Sequence, residues 1–353
     1  MPTARLPRVV LVLLVGASLV ITLAGVRATS GILGPVFLAL VLTITVHPVR
    51  GWLSRRGLPD WLASVAAVLA VYLLIVLLAI ALVVSVAQLA TVLPSYGPKI
   101  QDHLSSATGW LGDRGVGTSQ IDTMIQSLDV GKIVDILTSV LARVLSLLTN
   151  LFFIATMVFF LAFDTTSSNR ILDQIRPHRP HLIDALRNFA IGTRNYMGVS
   201  TVFGFVVAVI DGAALWMLGV DGWFVWGVLA FVTNYIPNVG FVIGVVPPAL
   251  LGFLDSGLST LIWVIAVYSA VNVVVQTIIQ PRIVGDKVGL SATVTFLSLV
   301  FWAWALGALG ALLAVPLTLL VRALLVEADP DARWALPLIT GKPADEVPPA
   351  LAP

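Results

Sequence analysis

Eight long apolar runs constrain this chain more than any other feature of its sequence, because together they contain a single charged residue, Asp211. The runs are Val9–Val26, Gly31–Val46, Leu62–Leu93, Val144–Phe163, Tyr196–Leu218, Gly222–Leu254, Gly257–Gln280 and Val288–Val321. About 20 apolar residues suffice for a helix to cross the bilayer core. Charged residues make up 11% of the chain, against roughly 25% in soluble domains. The sequence therefore predicts an all-α polytopic membrane protein with about eight transmembrane segments.

The first run predicts a retained transmembrane helix and not a signal peptide. Arg5 and Arg8 precede it, as they would in either case. However, Val9–Val26 is longer than the apolar core of a usual signal peptide, and no clean cleavage site of small residues follows it.

Basic residues in the connecting segments predict the orientation. Arginines lie before the first run, between the second and third runs, and between the fourth and fifth runs. They are Arg5, Arg8, Arg50, Arg55, Arg56, Arg170, Arg176, Arg179, Arg187 and Arg194. Because cytoplasmic loops carry an excess of Lys and Arg, these segments and both termini are expected in the cytoplasm, with Pro94–Arg143 outside a cell (inner or plasma) membrane.

Five regions follow from this layout. Helices one to three occupy 1–93, and an extracytoplasmic helical segment occupies 94–143. The region 144–195 holds the fourth span and a helix expected to lie along the cytoplasmic interface. The C-terminal transmembrane transport region spans 196–322. The segment 323–353, rich in Pro, Ala and acidic residues, is expected to be a mobile cytoplasmic tail.

Several classes of protein are disfavoured by what the sequence lacks. No cysteine is present, the four histidines fall in predicted loops, and no catalytic motif of the common hydrolases or nucleotide-binding enzymes appears. The net charge of +2 is too small to indicate nucleic-acid binding. We therefore expect no enzyme activity, no cofactor and no metal site, and partners limited to the lipid bilayer and a small-molecule or ion substrate.

Two of the runs are long but broken by glycine and proline. Gly222–Leu254 would form about 50 Å of helix, yet Pro237 disfavours a helical residue before it and Gly240 follows three residues later. The break is expected within Tyr235–Gly240. Gly222–Leu254 and Val288–Val321 are either kinked spans or re-entrant hairpins, and the hairpin alternative returns the loop with Arg282 and Lys287 to the cytoplasmic side.

Polar residues near this break form candidates for a substrate pathway. Tyr268, Asn272, Gln276 and Gln280 recur every four residues and therefore lie along one face of a helix. Buried amides of this kind should face protein or water. The alternatives are interhelical hydrogen bonding and the wall of a polar pathway. The pathway candidates are Asn234, Tyr235, Pro237, Asn238, Gly240, Tyr268, Asn272, Gln276 and Gln280. Asp211, as an intramembrane carboxylate, is a candidate proton-linked residue.

Three C-terminal motifs carry a family resemblance. NYIPNVGFVIGVVPPAL, QPRIVGDKVGL and FWAWALGALGALLAVPLTLL occur in this order, and the chain resembles the autoinducer-2 exporter family of PerM-like permeases. The resemblance implies an eight-span inner-membrane protein, homo-oligomeric, whose relatives are linked to autoinducer-2 export and in some cases to sodium or lithium/proton antiport. Ala292 stands where members usually carry proline, and Asp211 is not a residue associated with the family.

Three functions remain open at this level. The first is a permease or exporter of a small solute, of the autoinducer-2 exporter type. The second is a sodium(lithium)/proton antiporter that uses Asp211. The third is a non-transporting membrane scaffold or regulator that acts through Pro94–Arg143.

Overall fold

The computed structural model describes residues 7–59, 61–66, 153–161, 170–237, 239–279 and 289–343, together with isolated helical positions between 69 and 84 and at 139 and 142. The regular structure of this described part is helical throughout, without a strand. Most of the third run, the external segment Pro94–Arg143, and the candidate residues Asn238 and Gln280 lie outside the described residues.

The main helices follow the apolar runs. They are α1 (Arg8–Ala28), α2 (Ser30–Arg55), α3 (Pro180–Met217), α4 (Trp223–Thr233), α5 (Gly240–Ser256), α6 (Leu258–Asn272, continued as a π-helix over Val273–Ile279), α7 (Ala292–Leu312) and α8 (Ala314–Arg322). Within the described residues, α2, α3 and α6 are long and apolar enough to cross a membrane. α7 also has this length and composition, but it is interrupted at Gly307. The predicted all-α membrane fold is confirmed.

The helices divide into two compact units. The first contains α1, α2, α3 up to Gly198, α7, α8 and the C-terminal segment. The second contains α3 from Val199 onward, α4, α5 and α6. All of the pathway candidates that the structure describes, and Asp211, belong to the second unit.

The predicted interfacial helix and the fifth span are one continuous helix. α3 has 38 residues and is about 57 Å long. In its first part, Ala185 and Phe189 pack against Val315 and Leu319 in a buried cluster. Protein therefore covers this apolar face, and the position of the helix along the cytoplasmic interface stays a prediction.

The first broken run is a hairpin of two helices. α4 ends at Thr233 and α5 begins at Gly240, so the predicted interruption is confirmed. α5 folds back along α4, and Ala230 and Val245 lie in one buried cluster. A Cβ on Gly240 would overlap the Thr233 carbonyl, so only glycine permits this close turn. With 11 and 17 residues, both arms are shorter than the roughly 30 Å hydrocarbon core.

The second broken run is also a hairpin. Gly307 leaves the helical conformation with φ 68° inside α7, and the indole Nε1 of Trp302 donates to Thr318 Oγ1 of α8 at 3.0 Å. The start and end of the hairpin meet, since the Arg322 guanidinium donates to the Gly289 carbonyl at 2.6 Å. Ala292 is the first residue of α7 after the capping Ser291, a position that proline also tolerates. Alanine and proline are therefore both compatible with the start of this helix.

The segment after Arg322 is folded over residues 323–343, contrary to the mobile tail expected there. Arg322 pairs with Glu327 at 2.7 Å, with both side chains 4% exposed. Further along, the Ser291 amide donates to the Ile339 carbonyl at 2.9 Å. Composition did not reveal this order, because it depends on a buried countercharge five residues away from Arg322. Residues 344–353 lie outside the described residues.

Candidate functional site

Asn234, at the tip of the α4–α5 hairpin, connects three parts of the second unit. Its amide Nδ2 donates to the Ser200 carbonyl of α3 at 3.0 Å. Its Oδ1 accepts from Gln276 Nε2, on the continuation of α6, at 3.0 Å. Both functional groups of the side chain are therefore used to hold the tip between α3 and α6.

The next tip residue makes a parallel contact. The Tyr235 hydroxyl and Thr201 Oγ1 lie 2.7 Å apart in a hydrogen bond. The Tyr235 ring also meets Phe231 edge to face, with centroids 5.6 Å apart. Consecutive residues of the tip thus bind consecutive residues of α3, which fixes the position of the tip along that helix.

The polar ridge of α6, formed by Tyr268, Asn272 and Gln276, faces this tip. Gln276 Nε2 donates to Asn272 Oδ1 at 2.7 Å, and Asn272 Nδ2 donates to the Tyr268 carbonyl at 2.9 Å. Gln276 lies in the π-helical continuation of α6, Val273–Ile279. Such wider turns often occur at functional positions of a helix.

Gly204 makes room for the Asn234 side chain. A Cβ at Gly204 would lie 2.8 Å from Asn234 Nδ2 and 3.2 Å from Asn234 Cβ. Any larger residue would push the tip away from α3. Because Gly204 lies in an apolar run without a neighbouring amide, the sequence offered no signal for this role.

A small cavity lies beside the tip, between α3, both hairpin arms and α6. Its polar lining comes from Asp211, Thr233, Asn234, Tyr268, Asn272 and Gln276. The free space is about 10 Å³, which is room for about one water-sized particle. No Lys, Arg or His is among its lining residues, so Asp211 is the one formally ionisable acid or base in the wall apart from the Tyr268 phenol.

The structure thus brings together most of the predicted pathway residues. Asn234, Tyr268, Asn272, Gln276 and Gly240 line the cavity, and Pro237 lies in the connection between α4 and α5. The sequence did not single out Ser200, Thr201, Gly204 and Thr233. The small polar run VST at 199–201 is a weak signal for a contact surface, and only the fold shows which element it contacts.

Apolar helices with re-entrant hairpins and a polar cluster at a helix break are features of membrane transport proteins. The sequence profile described as "AI-2E family transporter" matches residues 17–328. The chain belongs to the AI-2E transporter family, and is therefore a multi-pass membrane transport protein.

Three curated relatives show the extent of the similarity. The putative transport protein YhhT of Escherichia coli K12 is 30% identical over 341 residues, covering 96% of each chain. The AI-2 transport protein TqsA of the same strain is 31% identical over 304 residues, covering 86% of this chain and 88% of the relative. A putative transport protein of Haemophilus influenzae is 29% identical over 328 residues, covering 90% and 93%.

Proposed function

We propose that the chain is a permease that exports a small polar solute, of the autoinducer-2 exporter type, and that the tip of the α4–α5 hairpin is its gate. The observation that carries this proposal is the bridging position of Asn234, which is bound at once to Ser200 of α3 and to Gln276 beyond α6. A helix break that only relieved strain would not need partners on two other helices.

The polar residues that line the cavity beside the hairpin tip indicate the class of solute. The polar groups of the cavity wall are amides and hydroxyls, together with the single carboxylate of Asp211, which is completely buried. Such groups exchange hydrogen bonds with an uncharged, hydroxyl-rich molecule, whereas an anionic solute would find no basic residue in the cavity wall. The relative TqsA is named an AI-2 transport protein, which supports transport of the autoinducer-2 type.

Opening of the gate requires a modest free energy. Moving the tip away from α3 and α6 breaks the bonds of Asn234 to Ser200 and Gln276 and of Tyr235 to Thr201. At about 0.6–1.7 kcal/mol for each bond within a membrane, the open state lies about 2–5 kcal/mol above the closed state. A gap of a few kcal/mol leaves a minor state that a substrate can select.

Two hairpins also give a consistent orientation, which we propose for the whole chain. With α3 starting in the cytoplasm, the turns at 218–222 and 256–257 are external, and the chain reaches the cytoplasmic side again at the end of α6. Both termini then lie on the cytoplasmic side of the cell membrane, as the arginine distribution predicts. Assembly as a homo-oligomer is part of the same proposal and awaits a measurement of mass in detergent.

A metabolite comparison tests the export function. Cells with the wild-type chain and cells with Gln276→Leu are grown in parallel, and small molecules in the medium and in the cytosol are measured. Export predicts that one solute accumulates inside the variant cells and falls in their medium. Identical solute profiles, with equal amounts of membrane-inserted protein, would remove the hairpin tip from any transport role.

One observation favours a second function, sodium(lithium)/proton antiport. Asp211 is completely buried in the second unit, and an intramembrane carboxylate is suited to carry a proton. In proteoliposomes with a pH-sensitive dye inside, antiport predicts an immediate pH change when sodium is added outside. Solute flux without a sodium-driven pH change would favour export instead, and either activity would exclude a purely scaffolding protein.

A further inference from the structure

A long apolar groove runs along the surface of the second unit between α3 and α4. Its volume is about 650 Å³, which is within the range of ligand-binding sites in proteins. All eleven lining residues are apolar or aromatic, and they include Phe205, Trp216, Trp223, Phe224 and Phe231. The groove is therefore unsuited to a polar solute and suited to an apolar ligand.

Close contact between the two helices forms the floor of this groove. A Cβ on Gly227 would lie 3.1 Å from the Ala208 carbonyl oxygen, and a Cβ on Gly212 would lie 3.8 Å from the Gly227 Cα. Small residues thus bring the two backbones together, while large side chains stand on either side. Val209 of α3 is 53% exposed and Phe224 of α4 is 63% exposed, so the groove is open to the surroundings of the helices.

The surroundings of the groove are lipid, because the chain is a membrane protein and α3 is one of its membrane-crossing helices. Trp216 and Trp223 lie at the end of the groove that is next to the turn at 218–222. Indole rings favour the boundary between hydrocarbon and headgroups. The glycerol of a lipid would therefore lie at this end, with its acyl chains pointing toward Phe231.

The width of the groove favours acyl chains over a helix of a second copy. From Phe205 to Trp216, α3 rises about 16 Å, so the volume of about 650 Å³ corresponds to a mean cross-section of about 40 Å². An α-helix with its side chains is about 10–12 Å across and needs about 80–110 Å². An extended alkyl chain, whose carbon atoms make contacts at about 4 Å, needs about 20 Å², so the two chains of one phospholipid fit.

We propose that this groove holds the two acyl chains of one tightly bound phospholipid. Its occupancy is coupled to the hairpin tip through Phe231, which lines the groove and meets the Tyr235 ring edge to face with centroids 5.6 Å apart. Tyr235 is in turn hydrogen-bonded to Thr201 of α3. The bound lipid therefore holds Phe231 in place and stabilises the closed position of the tip. This effect rests on the proposed gate, whereas the binding of the lipid does not.

Photolabelling of the purified full-length protein in mixed micelles of detergent and lipid tests the site. The probe is a phosphatidylglycerol with a diazirine in one acyl chain, and labelled residues are identified by mass spectrometry. Before illumination, half of the samples are chased with an excess of micelles that contain unlabelled lipid. Val246 and Leu250 of α5, which are 45% and 54% exposed, report ordinary lipid contacts. After the chase we expect about tenfold more label at Val209 and Ala213 than at these two residues, because a tightly bound lipid dissociates slowly.

A matched pair of variants on α3 connects the retained label to the groove, with the total label on the peptides of α3 and α4 as the readout. Ala213→Trp fills the groove and should remove the retained label. Val206→Trp, at an exposed position of the same helix that does not line the groove, should keep it. Val209→Phe fills the groove in part and should reduce the retained label, so this variant decides the test if Ala213→Trp does not fold.

The possible outcomes separate the lipid site from the proposed transport function. Equal label in the groove and at Val246 and Leu250 after the chase would show ordinary membrane lipid only and would overturn the site, as would retained label that Ala213→Trp leaves unchanged. Crosslinking of Ala213→Cys copies to one another by a short bismaleimide would place a second copy in the groove and would overturn it as well. Loss of the label in Ala213→Trp with unchanged solute flux would support the lipid site and reject its effect on the gate. Retained label in a wild-type protein that exports no solute would support the lipid site and reject the permease.

Discussion

Asn234 and Gln276 are 42 positions apart in the chain, and the Gln276 amide donates a hydrogen bond to the Asn234 side chain at 3.0 Å. This bond joins the hairpin tip to the polar ridge of α6. The same Gln276 amide also donates to Asn272 at 2.7 Å, so one side chain orients both. If the tip has a role in transport, loss of the Gln276 side chain should affect transport directly, because Gln276 holds the tip against α6.

We expect Gln276→Leu to reduce solute flux strongly while the protein still inserts and assembles. The leucine fills a similar volume but donates no hydrogen bond, so the bonds to Asn234 and Asn272 are both lost. At about 0.6–1.7 kcal/mol for each bond, the free energy of unfolding should fall by about 1–3 kcal/mol. Flux in proteoliposomes and thermal unfolding in detergent measure the two effects. Ile278→Leu, at an exposed position two residues further along, is the control, and normal flux in a well-folded Gln276→Leu protein would contradict the role.

Gly204→Ala should displace the hairpin tip without weakening α3. Alanine is a better helix former than glycine by about 1 kcal/mol, yet its Cβ would lie 2.8 Å from the Asn234 amide nitrogen. We therefore expect reduced flux together with unchanged helix content by circular dichroism. Gly198→Ala in the same helix is the matched control, because a Cβ there meets nothing within 4 Å. If both variants transport equally, the close contact at Gly204 has no functional consequence.

The hairpin alternative makes a specific prediction about topology. Single cysteines at Asp221 and at Ser256, which flank the α4–α5 hairpin and are both exposed, should react with an impermeant thiol reagent applied to intact cells. A kinked span would place these positions on opposite sides. A cysteine at Ser54 should be protected until the membrane is permeabilised. The absence of native cysteine means that any labelling reports the introduced residue.

Arg322→Met should destabilise the first unit by about 3–5 kcal/mol, because Glu327 would remain buried without a countercharge. The double variant Arg322→Met/Glu327→Leu should recover most of this loss, since an apolar pair replaces the ion pair. Arg187→Met is the control, as the Arg187–Asp173 pair is 42% and 65% exposed and is worth about 0–1 kcal/mol. Unfolding temperatures of the four proteins give the comparison. If Arg322→Met and Arg187→Met lower the unfolding temperature equally, the buried ion pair stabilises the protein no more than the exposed pair does.

The sequence alone determined the class of fold and the position of the main break. The apolar runs and the scarcity of charge exclude a soluble fold, because backbone groups in lipid must be paired within helices. Pro237 and Gly240 located the interruption for the same local reason, since each acts on the backbone of its own segment. The spacing of Tyr268, Asn272 and Gln276 likewise fixed one face of α6 without knowledge of its neighbours.

Only the tertiary structure shows which helices the broken segment and its polar residues contact. A kinked span and a hairpin have the same sequence signals, and the choice between them depends on whether α5 packs back on α4 through Gly240 and Gly244, with Gly244 facing Thr233. No local signal identifies the Ser200 carbonyl and the missing Cβ of Gly204 as partners, because both become significant only beside Asn234. The order of the segment after Arg322 depends on a buried ion pair. Such contacts arise from packing between elements, whereas hydrophobic periodicity and helix breaking act within a single element.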